Sequence, residues 1–96
     1  MRVPVEIRGT SADGSPHEES TYTCVVGVTG AMIVTSRSLQ VGSEMTVTNR
    51  FSQRTAKFRV AWVKQQENSQ LWETGVESPI PLDDFWEVRF PRKPSH

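Results

Sequence analysis

Only one cysteine, Cys24, stands among the 96 residues. A lone thiol closes no intramolecular disulfide and supplies no cysteine zinc cluster, so the fold has neither staple. Charge of one sign is also lacking, because eleven basic and eleven acidic residues cancel to a formal net charge of +0. No overall field therefore draws the chain to a nucleic-acid polymer or an anionic membrane, and a charged ligand needs a local site. Nothing approaches the ~20 apolar residues of a membrane span. Met1-Arg2-Val3-Pro4 has no apolar run of the kind a signal peptide carries. Asn49-Arg50-Phe51 and Asn68-Ser69-Gln70 both miss the glycosylation acceptor pattern. These features together predict a cytoplasmic protein.

Helical periodicity is missing too, and a period of two takes its place. In Ala56-Lys57-Phe58-Arg59-Val60-Ala61-Trp62-Val63, the residues Ala56, Phe58, Val60 and Trp62 share one face while Lys57 and Arg59 share the other. Tyr22, Cys24, Val26 and Val28 alternate with Thr21, Thr23, Val25 and Gly27 in the same way, and Met45-Thr46-Val47-Thr48 repeats the pattern with β-branched residues. Further strands are predicted over Val3–Arg8, Ala31–Thr35, Leu71–Glu77 and Phe85–Phe90. Turn chemistry separates them: Ala12-Asp13-Gly14-Ser15-Pro16, the Gly30 position where a positive φ is expected, Gln40-Val41-Gly42-Ser43, and a polar loop over Gln65–Ser69. Short strands with no amphipathic helix between them favour antiparallel pairing, and closure into a barrel removes most exposed edges. The fold class is all-β, a small antiparallel β-barrel forming a single domain over residues 1–91. A polar tail, Arg92-Lys93-Pro94-Ser95-His96, follows it.

Few residues suggest chemistry. His17 lies beside a turn and His96 ends the chain, neither at metal-ligand spacing, so both read as surface histidines. Asp83-Asp84 follows Pro79-Ile80-Pro81 and suits a turn or the cap of a short C-terminal helical turn better than a catalytic carboxylate pair. Cys24 sits on the apolar face and reads as a buried, inert thiol with no base beside it. No catalytic residue, metal ligand or cofactor is expected, and the chain is not read as an enzyme. Of the three tryptophans, Trp62 falls in step with the core face. Trp72 and Trp86 suit either a half-buried place at a barrel mouth or a stacking surface for a base or a partner. Lys57 and Arg59 oppose the core face with few aromatics beside them, which disfavours an oligonucleotide-binding barrel.

The order of features resembles the PilZ domain family across about Val3 to Pro91. The resemblance rests on Gly30-Ala31, on Leu39, Gly42, Glu44, Met45 and Val47, on the alternating Ala56–Val63 run, and on Glu73-Thr74-Gly75-Val76-Glu77. It implies a six-stranded barrel, a role in bacterial signalling and a cyclic di-GMP site. PilZ domains that bind this ligand use an Arg-x-x-x-Arg element whose two guanidinium forks clamp phosphates and guanine edges. Here Arg2 and Arg8 are six apart. The second family element, Asp/Asn-x-Ser-x-x-Gly, corresponds to Val25-Val26-Gly27-Val28-Thr29-Gly30, where only Gly30 matches. Valine replaces the acidic or amide side chain and Gly27 replaces the hydroxyl, and each unpaired guanine group costs about 1–3 kcal/mol. The resulting expectation is a regulatory module with a degenerate cyclic di-GMP motif, acting through a protein partner. The alternative is a genuine cyclic di-GMP receptor with a rearranged site, in which Arg2, Arg8 or Arg37 replaces the missing pair around Gly30.

Overall fold

The computed structural model describes residues 2–81, 85 and 86. Six strands follow one another without a helix among the described residues: β1 (Pro4–Thr10), β2 (Pro16–Val26), β3 (Gly30–Thr35), β4 (Glu44–Asn49), β5 (Thr55–Gln65) and β6 (Trp72–Glu77). They close into an antiparallel barrel in the order β1-β2-β3-β6-β5-β4. Each of the six interfaces is a hydrogen-bonded pair, so no strand has a free edge. Five strands lie close to their predicted runs, whereas β2 begins at Pro16, ahead of the run over residues 21–28, and ends at Val26. The strand expected over Phe85–Phe90, the helical turn near the C-terminus, Asp83-Asp84 and the polar tail fall outside the described residues, except that Phe85 and Trp86 lie in a turn.

Alternation fills the interior. Val5 and Ile7 of β1, Met45 and Val47 of β4, and Phe58 and Val60 of β5 are buried and pack with Ile33 and Val76. Two chain segments then close the mouths. The connection from Thr35 to Glu44 crosses one mouth and sinks Leu39 into it, tied by hydrogen bonds from Ala12 N to Ser38 O (2.9 Å) and from Gln40 N to Thr10 O (2.8 Å). Beyond β6, Phe85 and Trp86 close the other mouth against Phe58, with ring centroids 5.7 and 5.8 Å away. The Asp13 carboxylate accepts hydrogen bonds from the Ser15 hydroxyl and amide, which hold its carboxyl below the usual carboxylate range while Gly14 takes a φ of 91°.

Two sequence expectations change face. Trp62 leaves the core: the register shifts between Val60 and Trp62, so Ala61 occupies a bulge and the indole emerges outside, 44% exposed. Val63 takes the inward position and packs against the core instead. In β2 the inward residue is Thr23, fully buried, and its hydroxyl accepts from Val3 N at 2.9 Å. Tyr22 therefore faces outward, and a second shift between Thr23 and Val25 leaves Cys24 only half-buried.

Candidate functional site

Residues 25–30, the segment that resembles the PilZ turn element, span the end of β2 and the β2–β3 turn. Val26 pairs with Ala31, and Gly27 N donates to Gly30 O at 2.8 Å, which closes the hairpin. Two further carbonyls of this turn are already used within the fold. Gly27 O accepts from the Trp86 indole nitrogen at 3.2 Å, and Thr29 O accepts from Ser78 N at 2.7 Å. Val25, at the motif's acidic position, points outward and is 58% exposed. A guanine edge laid on this surface meets a valine side chain where the motif calls for a carboxylate or amide.

Gly30 does not carry the positive φ expected of it. Glycines with positive φ are Gly14 and Gly42 among the described residues. Gly30 is required for closeness: a Cβ there would come 2.6 Å from the carbonyl oxygen of Val76 on the paired strand. That obstacle is backbone, so a strand must move to admit a methyl group. Gly30→Ala is expected to cost about 1–3 kcal/mol, the range for overpacking a filled interior, measured as the shift in urea midpoint. A loss below about 0.5 kcal/mol would show that β3 and β6 separate freely at this point.

The arginines do not converge. Arg2 lies just before β1, at the same mouth as the Gly27–Gly30 turn, because Val3 O accepts from Thr23 N and Pro4 pairs with Tyr22. Its guanidinium carbon sits 4.8 Å from the Tyr22 ring centroid, a cation–π contact on the barrel's outer surface. Arg8 is six residues further along the chain, about 20 Å at strand rise. It meets Glu18 at 2.5 Å in a shallow polar groove of about 290 Å³ shared with Glu6 and Thr46. Arg37 is exposed in the connection over the opposite mouth from Gly30. Of the candidate residues Arg2, Arg8 and Gly30, only Arg2 and Gly30 share a mouth.

A larger groove, about 490 Å³, runs over β4, β5 and the end of β6, where Glu44, Lys57, Arg59 and Glu77 line it. Its charges are matched internally: Lys57 lies 3.8 Å from Glu44, and Arg59 is bonded to Glu77. A dianion placed there would have to displace a carboxylate from each cation.

Sequence reasoning missed one polar cluster. His17 is not a surface residue, since its side chain is only 11% exposed and its Nε2 lies 2.8 Å from Glu19 Oε1. The same oxygen accepts from Ser36 N at 2.8 Å and Ser36 Oγ at 3.1 Å. A histidine, a carboxylate and a serine thus meet, but in the wrong order for nucleophilic catalysis. The carboxylate lies between the other two, whereas an activating histidine has to touch the hydroxyl itself. The cluster ties β2 to the start of the Ser36–Ser43 connection. His17 alternates in β2 with Glu18, which pairs outward with Arg8, and that inward phase was the available signal.

Among the described residues, no three histidine, cysteine, aspartate or glutamate side chains gather as a metal site, and no helix is long and apolar enough to cross a membrane. Comparison with family models, with curated proteins and with solved structures finds no match to this chain.

Proposed function

We propose that this chain is a non-enzymatic bacterial regulatory module, a PilZ-like barrel that has lost cyclic di-GMP readout and acts through contacts with protein. The observation that carries the reading is the state of the β2–β3 turn. The Gly27 and Thr29 carbonyls are spent on Trp86 and Ser78, and an exposed Val25 occupies the position that has to read guanine. The cations lining both grooves are already paired with carboxylates, and the smaller groove carries a further carboxylate, Glu6. This supports the same view, because a dinucleotide with two phosphates needs cations that are free to meet it.

Calorimetric titration with cyclic di-GMP tests the loss of readout. No saturable heat is expected at an affinity tighter than about 100 μM, which corresponds to about −5.5 kcal/mol. Saturable binding above that threshold defeats the proposal and favours the rearranged receptor. In that case Arg2, exposed beside Tyr22 at the correct mouth, is the residue whose replacement by alanine has to abolish binding.

A further inference from the structure

The outer face of β5 and β6 combines a fixed aromatic anchor with an ordered set of charges. Trp62 pairs with Gly75 across the two strands, and its indole lies directly over that glycine. A Cβ on Gly75 would fall 2.1 Å from the indole Nε1 and 2.2 Å from Cε2, so the absent side chain is what seats the ring. The result is a tryptophan that is 44% exposed yet held against the sheet. A side chain fixed in this way loses little conformational freedom when a partner covers it.

Charges flank this anchor on both sides along the strands. Toward one mouth, Arg59 of β5 pairs with Glu77 of β6, and toward the other Lys64 of β5 pairs with Glu73 of β6. All four point outward, because the residues between them, Val60 with Val76 and Val63 with Thr74, point inward. In this patch, then, β5 presents only cations and β6 only anions, at matching heights around Trp62 and Gly75.

That arrangement is complementary to itself under one particular operation. A two-fold axis running along the strands between β5 and β6 lays β5 of one copy on β6 of the other. Arg59 then faces the partner's Glu77 and Lys64 faces the partner's Glu73. Each Trp62 indole, lying over its own Gly75 between the two strands, meets the partner's Trp62 at the axis. A two-fold axis running across the strands gives the opposite outcome, setting Arg59 against the partner's Lys64 and Glu73 against the partner's Glu77. The charge pattern is thus self-complementary about the first axis and repulsive about the second. Arg59 and Glu77, already bonded within each copy, join a four-charge cluster across the first axis.

We infer that this face is a self-association surface, joining two copies of the chain in a two-fold pair with Trp62 at its centre. The inference rests on the barrel geometry alone and not on the loss of nucleotide readout, so either can fail without the other. Two convex barrels meet over little more than two strands, which places the contact among small, weak interfaces.

Sedimentation velocity of the full chain from about 5 to about 500 μM, a range suited to an interface of this size, tests it. A concentration-dependent rise from monomer toward dimer is expected. Trp62→Ala is expected to weaken the dimer at least about tenfold, as removal of a central aromatic anchor does. Lys64→Glu is expected to weaken it about fivefold, because each substitution enters the symmetric interface twice. Combining Lys64→Glu with Glu73→Lys exchanges the charges of the two strands and is expected to restore association, a rescue that loss of folding cannot mimic. Unchanged thermal midpoints confirm that the variants are folded, since none of these side chains enters the core. A chain that stays monomeric throughout overturns the inference and leaves the face to a different protein. A dimer indifferent to Trp62→Ala overturns it as well.

Discussion

Trp86→Ala is expected to lower stability by about 3–5 kcal/mol, the range for emptying a buried aromatic site. The indole is 1% exposed, its ring centroid lies 4.7 Å from that of Phe85 and 5.8 Å from that of Phe58, and its nitrogen donates to Gly27 O at 3.2 Å. Alanine leaves a cavity at one mouth of the barrel and an unsatisfied carbonyl in the β2–β3 turn. For a domain whose total stability is of the order of 5–15 kcal/mol, that is a large share. The thermal midpoint should fall by about 15–30 °C at this chain length. Trp62→Ala is the natural comparison. Its ring lies outside the barrel, so at concentrations where the chain is monomeric the cost should stay under about 1 kcal/mol. Urea denaturation followed by far-ultraviolet circular dichroism measures both. If Trp62→Ala costs as much as Trp86→Ala, then Trp62 belongs to the core and Trp86 does not close it.

That contrast also marks where the sequence was legible. Six of the seven predicted strands correspond to the six observed, because one buried face per strand forces alternation and each strand has a wet outer side. The seventh, Phe85–Phe90, lies outside the described residues except for Phe85 and Trp86, which lie in a turn. Barrel closure followed from the absence of helices to cover an edge. The failures share a physical origin in small departures from strict period. Ala61 and Cys24 each sit at a register shift, and one extra residue moves every later side chain to the other face. The four consecutive apolar residues Val60-Ala61-Trp62-Val63 were the trace of such a slip, since a half-wet strand has no use for four in a row. Thr23 was harder, because a threonine among valines looks like the polar phase until Val3 N supplies its hydrogen bond. Trp86 was readable in part: a barrel mouth was one of its two expected places, but its full burial depends on where the segment after β6 crosses the barrel. At the candidate site, the missing hydroxyl and carboxylate of the β2–β3 turn were visible directly. The use of that turn's carbonyls by Trp86 and Ser78 was not.

The same segment supplies the second large effect, through Asn49. This side chain is fully buried; its Nδ2 donates to Phe85 O at 2.7 Å and its Oδ1 accepts from Phe51 N at 2.9 Å. It therefore ties the β4–β5 loop to the residues that close the mouth. Asn49→Leu is close in volume yet leaves one backbone acceptor and one backbone donor without partners. At about 1–3 kcal/mol for each orphaned group, the loss should reach about 2–5 kcal/mol. Asn49→Asp separates the two contacts. The introduced carboxylate still accepts from Phe51 N, but it turns a buried negative charge toward Phe85 O. Burial and that carbonyl raise the introduced carboxyl above its unfolded value, so this variant is more stable at low pH, where it is protonated and can donate to Phe85 O. It loses stability as pH rises through the folded value. The native chain has no such group at this position. Comparing the two proteins across the acid range isolates the Phe85 contact, and equal pH dependence would show that Asn49 Nδ2 does not hold it. Combined with Trp86→Ala, Asn49→Leu should cost less than the sum of the single losses, because each change releases the same crossing segment.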